Sequence, residues 1–165
     1  MGQKDGQGGF TLVESLIGAI VLAVAMIAVS VAVTSGHMQS QHALHAQRAL
    51  RLAEELMEFI LALPYHDPQG DSAPGPETGE AGLSDFDNAD DLHGFTMQDG
   101  AIANMAGEPH PPEYQIFGRS VWAEYVSRNV DGLGDPIFGL SVTVAVWDTR
   151  GRMWTLTRFI PEPTD

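Results

Sequence analysis

The sequence predicts an α+β protein in which one long N-terminal helix packs on a small antiparallel β-sheet. Three observations carry that expectation. First, Leu16–Val33 is an eighteen-residue run without a charge, and residues 37–63 continue it with no glycine or proline. Second, residues 64–113 are crowded with Pro, Gly and Asp, as in "PYHDPQGDSAPGPETGEAGLSDFDNADDLHGF". Third, the segments that follow are rich in β-branched and aromatic residues, the signature of strands.

Leu16–Val33 is about 27 Å long as a helix, enough to cross a bilayer. A secretory signal would have a shorter apolar core, roughly 7–15 residues, ending at a small-residue cleavage site. Here helical patterning persists instead. Leu52, Leu56, Phe59, Ile60 and Leu63 fall on one helical face, which Ala49 and Ala53 extend. Glu54, Glu55 and Glu58 lie off that stripe, and Pro64 stops the helix. A continuous helix over 10–63 would be about 80 Å long, with Gly36 as its one soft point. An apolar first half and an amphipathic second half suit a rod partly in lipid and partly packed on a domain.

The 64–113 region reads as a long excursion with a short strand or turn around Phe95–Gln98. Ser120–Arg128 and Leu140–Trp147 read as strands, the second alternating Leu140, Val142, Val144 and Val146 on one face. A turn at Asp148–Gly151 returns the chain as Arg152–Ile160, giving three or four strands whose apolar face covers the helical stripe. Trp122, Trp147 and Trp154 belong to sheet core or sheet surface.

Composition removes several function classes. A net charge of −14 argues against nucleic acid, because phosphate binding needs clustered Lys and Arg. With no cysteine there is no disulfide, thiol catalysis or Cys-ligated metal. Between Arg51 and Arg119 there are fourteen Asp and Glu and no Lys or Arg. That stretch reads as a solvated acidic region, or as a cation site or a surface for a basic neighbour.

Asp85, Asp87, Asp90 and Asp91 are the best ligand candidates, since alternating aspartates offer hard oxygens to Ca²⁺. They form no EF-hand, because the glycine at the sixth loop position and the glutamate at the twelfth are missing. His42 and His45 share a helix face at metal-binding spacing, but no third ligand accompanies them. His66, His93 and His110 have no paired nucleophile, and no nucleophile elbow, phosphate loop or metalloprotease helix is present. The chain therefore reads as non-enzymatic, with no cofactor beyond the calcium considered at the aspartates.

Gly9-Phe10-Thr11-Leu12-Val13-Glu14, followed by the apolar helix, resembles the prepilin signal shared by type IV pilins and type II secretion pseudopilins. The resemblance covers about residues 8–33. It implies that a prepilin peptidase cuts after Gly9 and that the new N-terminal residue, Phe10, is N-methylated. It also implies a leader at 1–9, a transmembrane part at 10–35 and an amphipathic continuation at 36–63. A head at 64–165 would carry the acidic loop region (64–113) and the sheet (114–160). The family fold, a long helix on an antiparallel sheet, agrees with the reading above. Residues 52–68 and 86–95 are further similar to minor pilin-like proteins of the PilV and mannose-sensitive haemagglutinin (MshD-like) type.

A carboxylate inside a membrane helix costs about 2.5–3.5 kcal/mol at mid-bilayer and less near an end, so Glu14 asks for a function. Cleavage after Gly9 would create an α-amino group one helical turn away, and in a filament the amine of the next subunit offers Glu14 a partner that fixes axial register. Lys4 before the span and Arg48 and Arg51 after it leave orientation open by charge alone. The resemblance places residues 1–9 in the cytoplasm, the helix in the bacterial inner membrane and the globular part outside, with other pilin subunits as partners. The motif is common to adhesion, motility, DNA-uptake and secretion filaments. The alternative is a single-span protein whose outer domain binds a ligand or calcium without polymerising.

Overall fold

The computed structural model describes residues 11–163 except 69, 71, 72, 81, 131, 133 and 134. One helix, α1 (Leu12–Ala62), is followed by β1 (Thr96–Met97), a 3₁₀ turn (Pro112–Tyr114), β2 (Phe117–Arg128), β3 (Ile137–Asp148) and β4 (Met153–Pro161). The chain divides into two compact units, residues 1–44 and 45–165.

In the first unit, α1 is uninterrupted by Gly18 or Gly36, and every described residue is exposed. Thr11 opens the helix: its Oγ1 accepts the Glu14 N–H at 3.3 Å and its carbonyl accepts the Ser15 N–H at 3.1 Å. Ser30 and Thr34 turn their hydroxyls back onto the carbonyls of Met26 and Ser30, each at 2.9 Å. Both polar side chains are thereby satisfied within an otherwise apolar surface.

In the second unit the four strands form an antiparallel meander in the order β1-β2-β3-β4. Pairing Trp122 with Thr143 and Thr143 with Thr157 sets the register, and every second residue then points to the same face. On that basis Phe117, Val121 and Ala123 of β2 and Leu140, Val142, Val144 and Val146 of β3 form one buried face. Against it pack Ala49, Leu52, Ala53, Leu56, Met57 and Ile60 of α1, with Ala89, Leu92 and Ile102 closing the core from the loops. The small residues at 49 and 53 let the helix approach the sheet. Phe59 and Leu63, expected on the stripe, lie at its margin and are half-buried, whereas Met57 takes a fully buried place. Pro64 ends the helix, and its carbonyl accepts the Ala89 N–H at 2.9 Å, tying the loop back to the helix end.

An arginine sits inside this core. Arg119 is 0% exposed, donating from Nη1 to the Leu52 carbonyl (3.1 Å) and from Nη2 to the Ala103 carbonyl (2.6 Å), with Glu55 at 3.6 Å. Burial pulls its pKa down and Glu55 opposes that pull. At the β3–β4 hairpin, Asp148 Oδ1 accepts the N–H groups of Arg150 (2.9 Å) and Arg152 (3.0 Å), and its Oδ2 takes Arg152 Nε at 2.8 Å. Gly151, at φ +77°, supplies the left-handed residue that a three-residue hairpin loop requires.

On the opposite sheet face the indole of Trp147 lies directly over Gly118, its register partner. A Cβ there would overlap the ring. Gly118→Ala is expected to cost about 1–3 kcal/mol as an overpacking change, read as a lower urea midpoint. An unchanged midpoint would show that the indole moves aside freely.

Candidate functional site

Among the described residues, two places carry unusual chemistry, the start of α1 and the acidic loop. At the helix start, Thr11-x-x-Glu14 has the spacing of a capping box, in which Thr and Glu side chains satisfy free N–H groups. A carboxylate in the first turn also complements the positive end of the helix dipole. Glu14 is exposed, as are its apolar neighbours Leu12 (85%), Val13, Leu16 and Ile17. It is the only ionisable side chain in residues 11–36. The apolar surface continues on all sides of the helix through Val33. A surface of that extent requires lipid or other helices to cover it. This is the one helix among the described residues that is long and apolar enough to cross a membrane. Gly9 and Phe10, the expected cleavage and methylation residues, lie outside the described residues.

The acidic loop is organised by a reciprocal knot. Asn88 Oδ1 accepts the N–H groups of Asp90 (2.9 Å) and Asp91 (3.2 Å), and Asp91 Oδ2 accepts those of Asp87 (2.9 Å) and Asn88 (3.0 Å). Asn and Asp favour such turns because their short side chains reach backbone donors two to four residues away. The four aspartates singled out in the sequence then diverge. Asp85 is exposed and takes the Ser84 hydroxyl at 3.3 Å. Asp90 is buried and accepts the Tyr125 hydroxyl of β2 at 3.0 Å. Burial raises the pKa of Asp90 and Asp91, and burial followed by the Asp90 charge raises that of Tyr125.

Among the described residues, only Asp91 of the four joins a group of convergent carboxylates, and its companions are Glu77 and Glu80. Sequence reasoning missed both glutamates. The only signal was their spacing on a Gly-rich turn, where Glu80 Oε2 accepts the Glu77 N–H at 3.0 Å.

Three histidines, His45, His93 and His110, occupy packing positions. His45 is half-buried and edge-on to Phe117, its pKa lowered by burial and then by Arg152, Arg48 and Arg150. His93 bonds the backbone of Ala123 through Nδ1 and packs on Trp122 at 4.3 Å. His110 pairs with Glu55 at 3.0 Å. His42 is exposed.

Residues 4–30 match the family described as the prokaryotic N-terminal methylation motif. No curated protein sequence and no solved structure matches the chain. The match covers both the expected cleavage junction and Glu14 and runs into the apolar helix. Together with one membrane-length helix and a four-stranded antiparallel sheet, it supports a type IV pilin-like prepilin.

Proposed function

We propose that the protein is a minor pilin or pseudopilin, a non-enzymatic structural subunit of a type IV pilus or type II secretion-type filament. Prepilin peptidase cuts after Gly9, and Phe10 is N-methylated. Residues 10–35 hold the subunit in the bacterial inner membrane before assembly, residues 36–63 continue the helix, and residues 64–165 form a head outside the cytoplasm. Other pilin or pseudopilin subunits cover the apolar helix in the filament.

The observation that carries this reading is the apolar, fully exposed helix surface with Glu14 in its first turn, inside the methylation motif. A simple anchor needs the apolar run but has no use for a carboxylate at its mouth. Co-expression with a prepilin peptidase, followed by intact-mass measurement of membrane-extracted protein, tests it. The expected product lacks residues 1–9 and carries one added methyl group on Phe10. Retention of residues 1–9 despite an active peptidase would instead favour a single-span, non-polymerising domain.

A further inference from the structure

The inner face of the sheet continues at one end without a full cover. By the alternation that buries Leu140, Val142 and Val144, positions 125, 127 and 138 belong to that same face, Tyr125 pairing with Leu140 and Ser127 with Phe138. Glu162 joins them just past β4, its N–H donating to the Phe138 carbonyl at 2.9 Å. Yet α1 stops at Ala62, and Phe138 at an inward position is 59% exposed. A cavity of about 480 Å³ opens here, its lining including Tyr65, His66, Tyr125, Phe138, Gly139 and Glu162.

The walls of this cavity are aromatic and its charge is negative. The Tyr65 and Tyr125 rings stand edge to face, 6.3 Å apart at 76°, and His66 stands edge-on to Tyr65 at 5.0 Å. No Lys or Arg is among the lining residues, and the nearby Arg128 lies over the Phe159 ring at 4.8 Å, on the other face of the sheet. Glu162 is exposed, with no Arg, Lys or His ion-pair partner among the described residues. Asp90 is 3% exposed; its Oδ2 takes the Tyr125 hydroxyl, and its Oδ1 is buried with no donor. After burial, the charges of Glu162 and Asp90 raise the pKa of Tyr65, and that of Asp90 does the same to Tyr125. Aromatic ring faces are themselves negative, so rings and uncompensated carboxylates together attract a cation.

We propose that this cavity receives an arginine side chain from a partner protein. A guanidinium suits it better than an ammonium: it is planar and weakly hydrated, stacks on aromatic rings, and presents a fork that matches the Glu162 carboxylate. The alkyl stem would cover the exposed Phe138 ring. The volume lies within the roughly 300–1,000 Å³ of ordinary ligand pockets and exceeds what a guanidinium alone fills, so the group arrives on a chain. Arginine seated among tyrosines is a common energetic anchor of protein interfaces. The site lies on the head, apart from the apolar surface of α1, and stands whether or not the chain polymerises.

Titration of the ¹⁵N-labelled full-length chain in detergent with N-acetyl-arginine amide at pH 7.5 tests this, following the backbone amide signals of Gly139 and Glu162. A saturable shift at millimolar ligand is expected. The uncharged isostere N-acetyl-citrulline amide should bind at least about tenfold more weakly, because it forfeits both the ring attraction and the carboxylate. E162Q and F138A should each weaken binding by about three- to fivefold, the scale of exposed cation contacts. E162Q, at an exposed position, should keep the wild-type Tm, so its loss of affinity cannot come from unfolding. The proposal is overturned by no saturable shift, by equal affinity for the citrulline or N-acetyl-lysine amide, or by affinity unchanged in E162Q and F138A. Methylguanidinium binding as tightly as the arginine amide would overturn it too, by making the ligand a free cation and not a side chain.

Discussion

Arg119→Met is expected to lower the stability of the folded head by about 3 kcal/mol, the largest effect of any single core change considered for this protein. Methionine nearly matches the length and apolar stem of arginine, so packing alone predicts a small loss. The polar account differs. The guanidinium donates to Leu52 in the middle of α1 and to Ala103 in the loop, joining helix, sheet and loop at one point. The Leu52 carbonyl keeps its helical partner when the arginine is lost, but Ala103 is left without this donor. Hydrogen bonds from charged donors are worth about 1.5–3 kcal/mol each, and the desolvation cost of burying the guanidinium, absent with Met, offsets part of their loss.

Glu55 decides where in the range the value falls. Breaking a buried ion pair by removing one partner costs about 3–5 kcal/mol. Glu55, however, is 32% exposed, lies 3.6 Å from Arg119 and retains His110 at 3.0 Å, so it is not stranded. The lower end applies. A double-mutant cycle with Glu55→Gln should give a coupling below about 1 kcal/mol, because a pair this exposed is screened by solvent. Arg119→Lys should fail to rescue, since one ammonium cannot reproduce a planar fork reaching two carbonyls. Urea denaturation of the full chain in detergent measures all three. A wild-type midpoint for Arg119→Met would refute the clamp, and a coupling of several kcal/mol would assign its strength to Glu55 instead.

Arg119 also shows where sequence reasoning stops. The alternation Leu140, Val142, Val144, Val146 announces a buried face because period two is written locally, and all four are buried. β2 has the same alternation, but its central inward position holds an arginine whose acceptors are backbone carbonyls far along the chain. No local pattern reports such partners. The helix seam was legible to within a position: a 3–4 spacing through Ala49, Leu52, Ala53, Leu56 and Ile60 includes Met57, while Phe59 slips to the edge. The acidic loop was the least legible part. Its aspartates are visible as a cluster, but Asp90 is drawn to Tyr125 and Asp91 to the 77–80 turn by tertiary contacts. The N-terminal motif was legible as a family match at residues 4–30, because it is written in consecutive residues.

That locality makes Glu14 the position with the largest expected functional effect. Glu14→Gln should leave membrane insertion and cleavage intact yet reduce recovery in filaments by two to three orders of magnitude. Two roles compete for this residue. As a helix-capping group its charge is worth about 0.3–1 kcal/mol, a small matter for a helix of 51 residues. As the partner of a neighbouring subunit's Phe10 amine inside an apolar filament, its loss would leave a buried charge unpaired, at about 3–5 kcal/mol per contact. At 1.4 kcal/mol per factor of ten, the second role dominates the outcome. Glutamine is the discriminating choice, because its amide oxygen can still accept a hydrogen bond at the N3 position while the charge is gone. Removing the carboxylate also makes insertion easier, so a defect confined to assembly cannot be blamed on a failed anchor. Normal co-assembly of Glu14→Gln with wild-type subunits would leave only the capping role, and the methylation motif would then mark processing without an assembly contact.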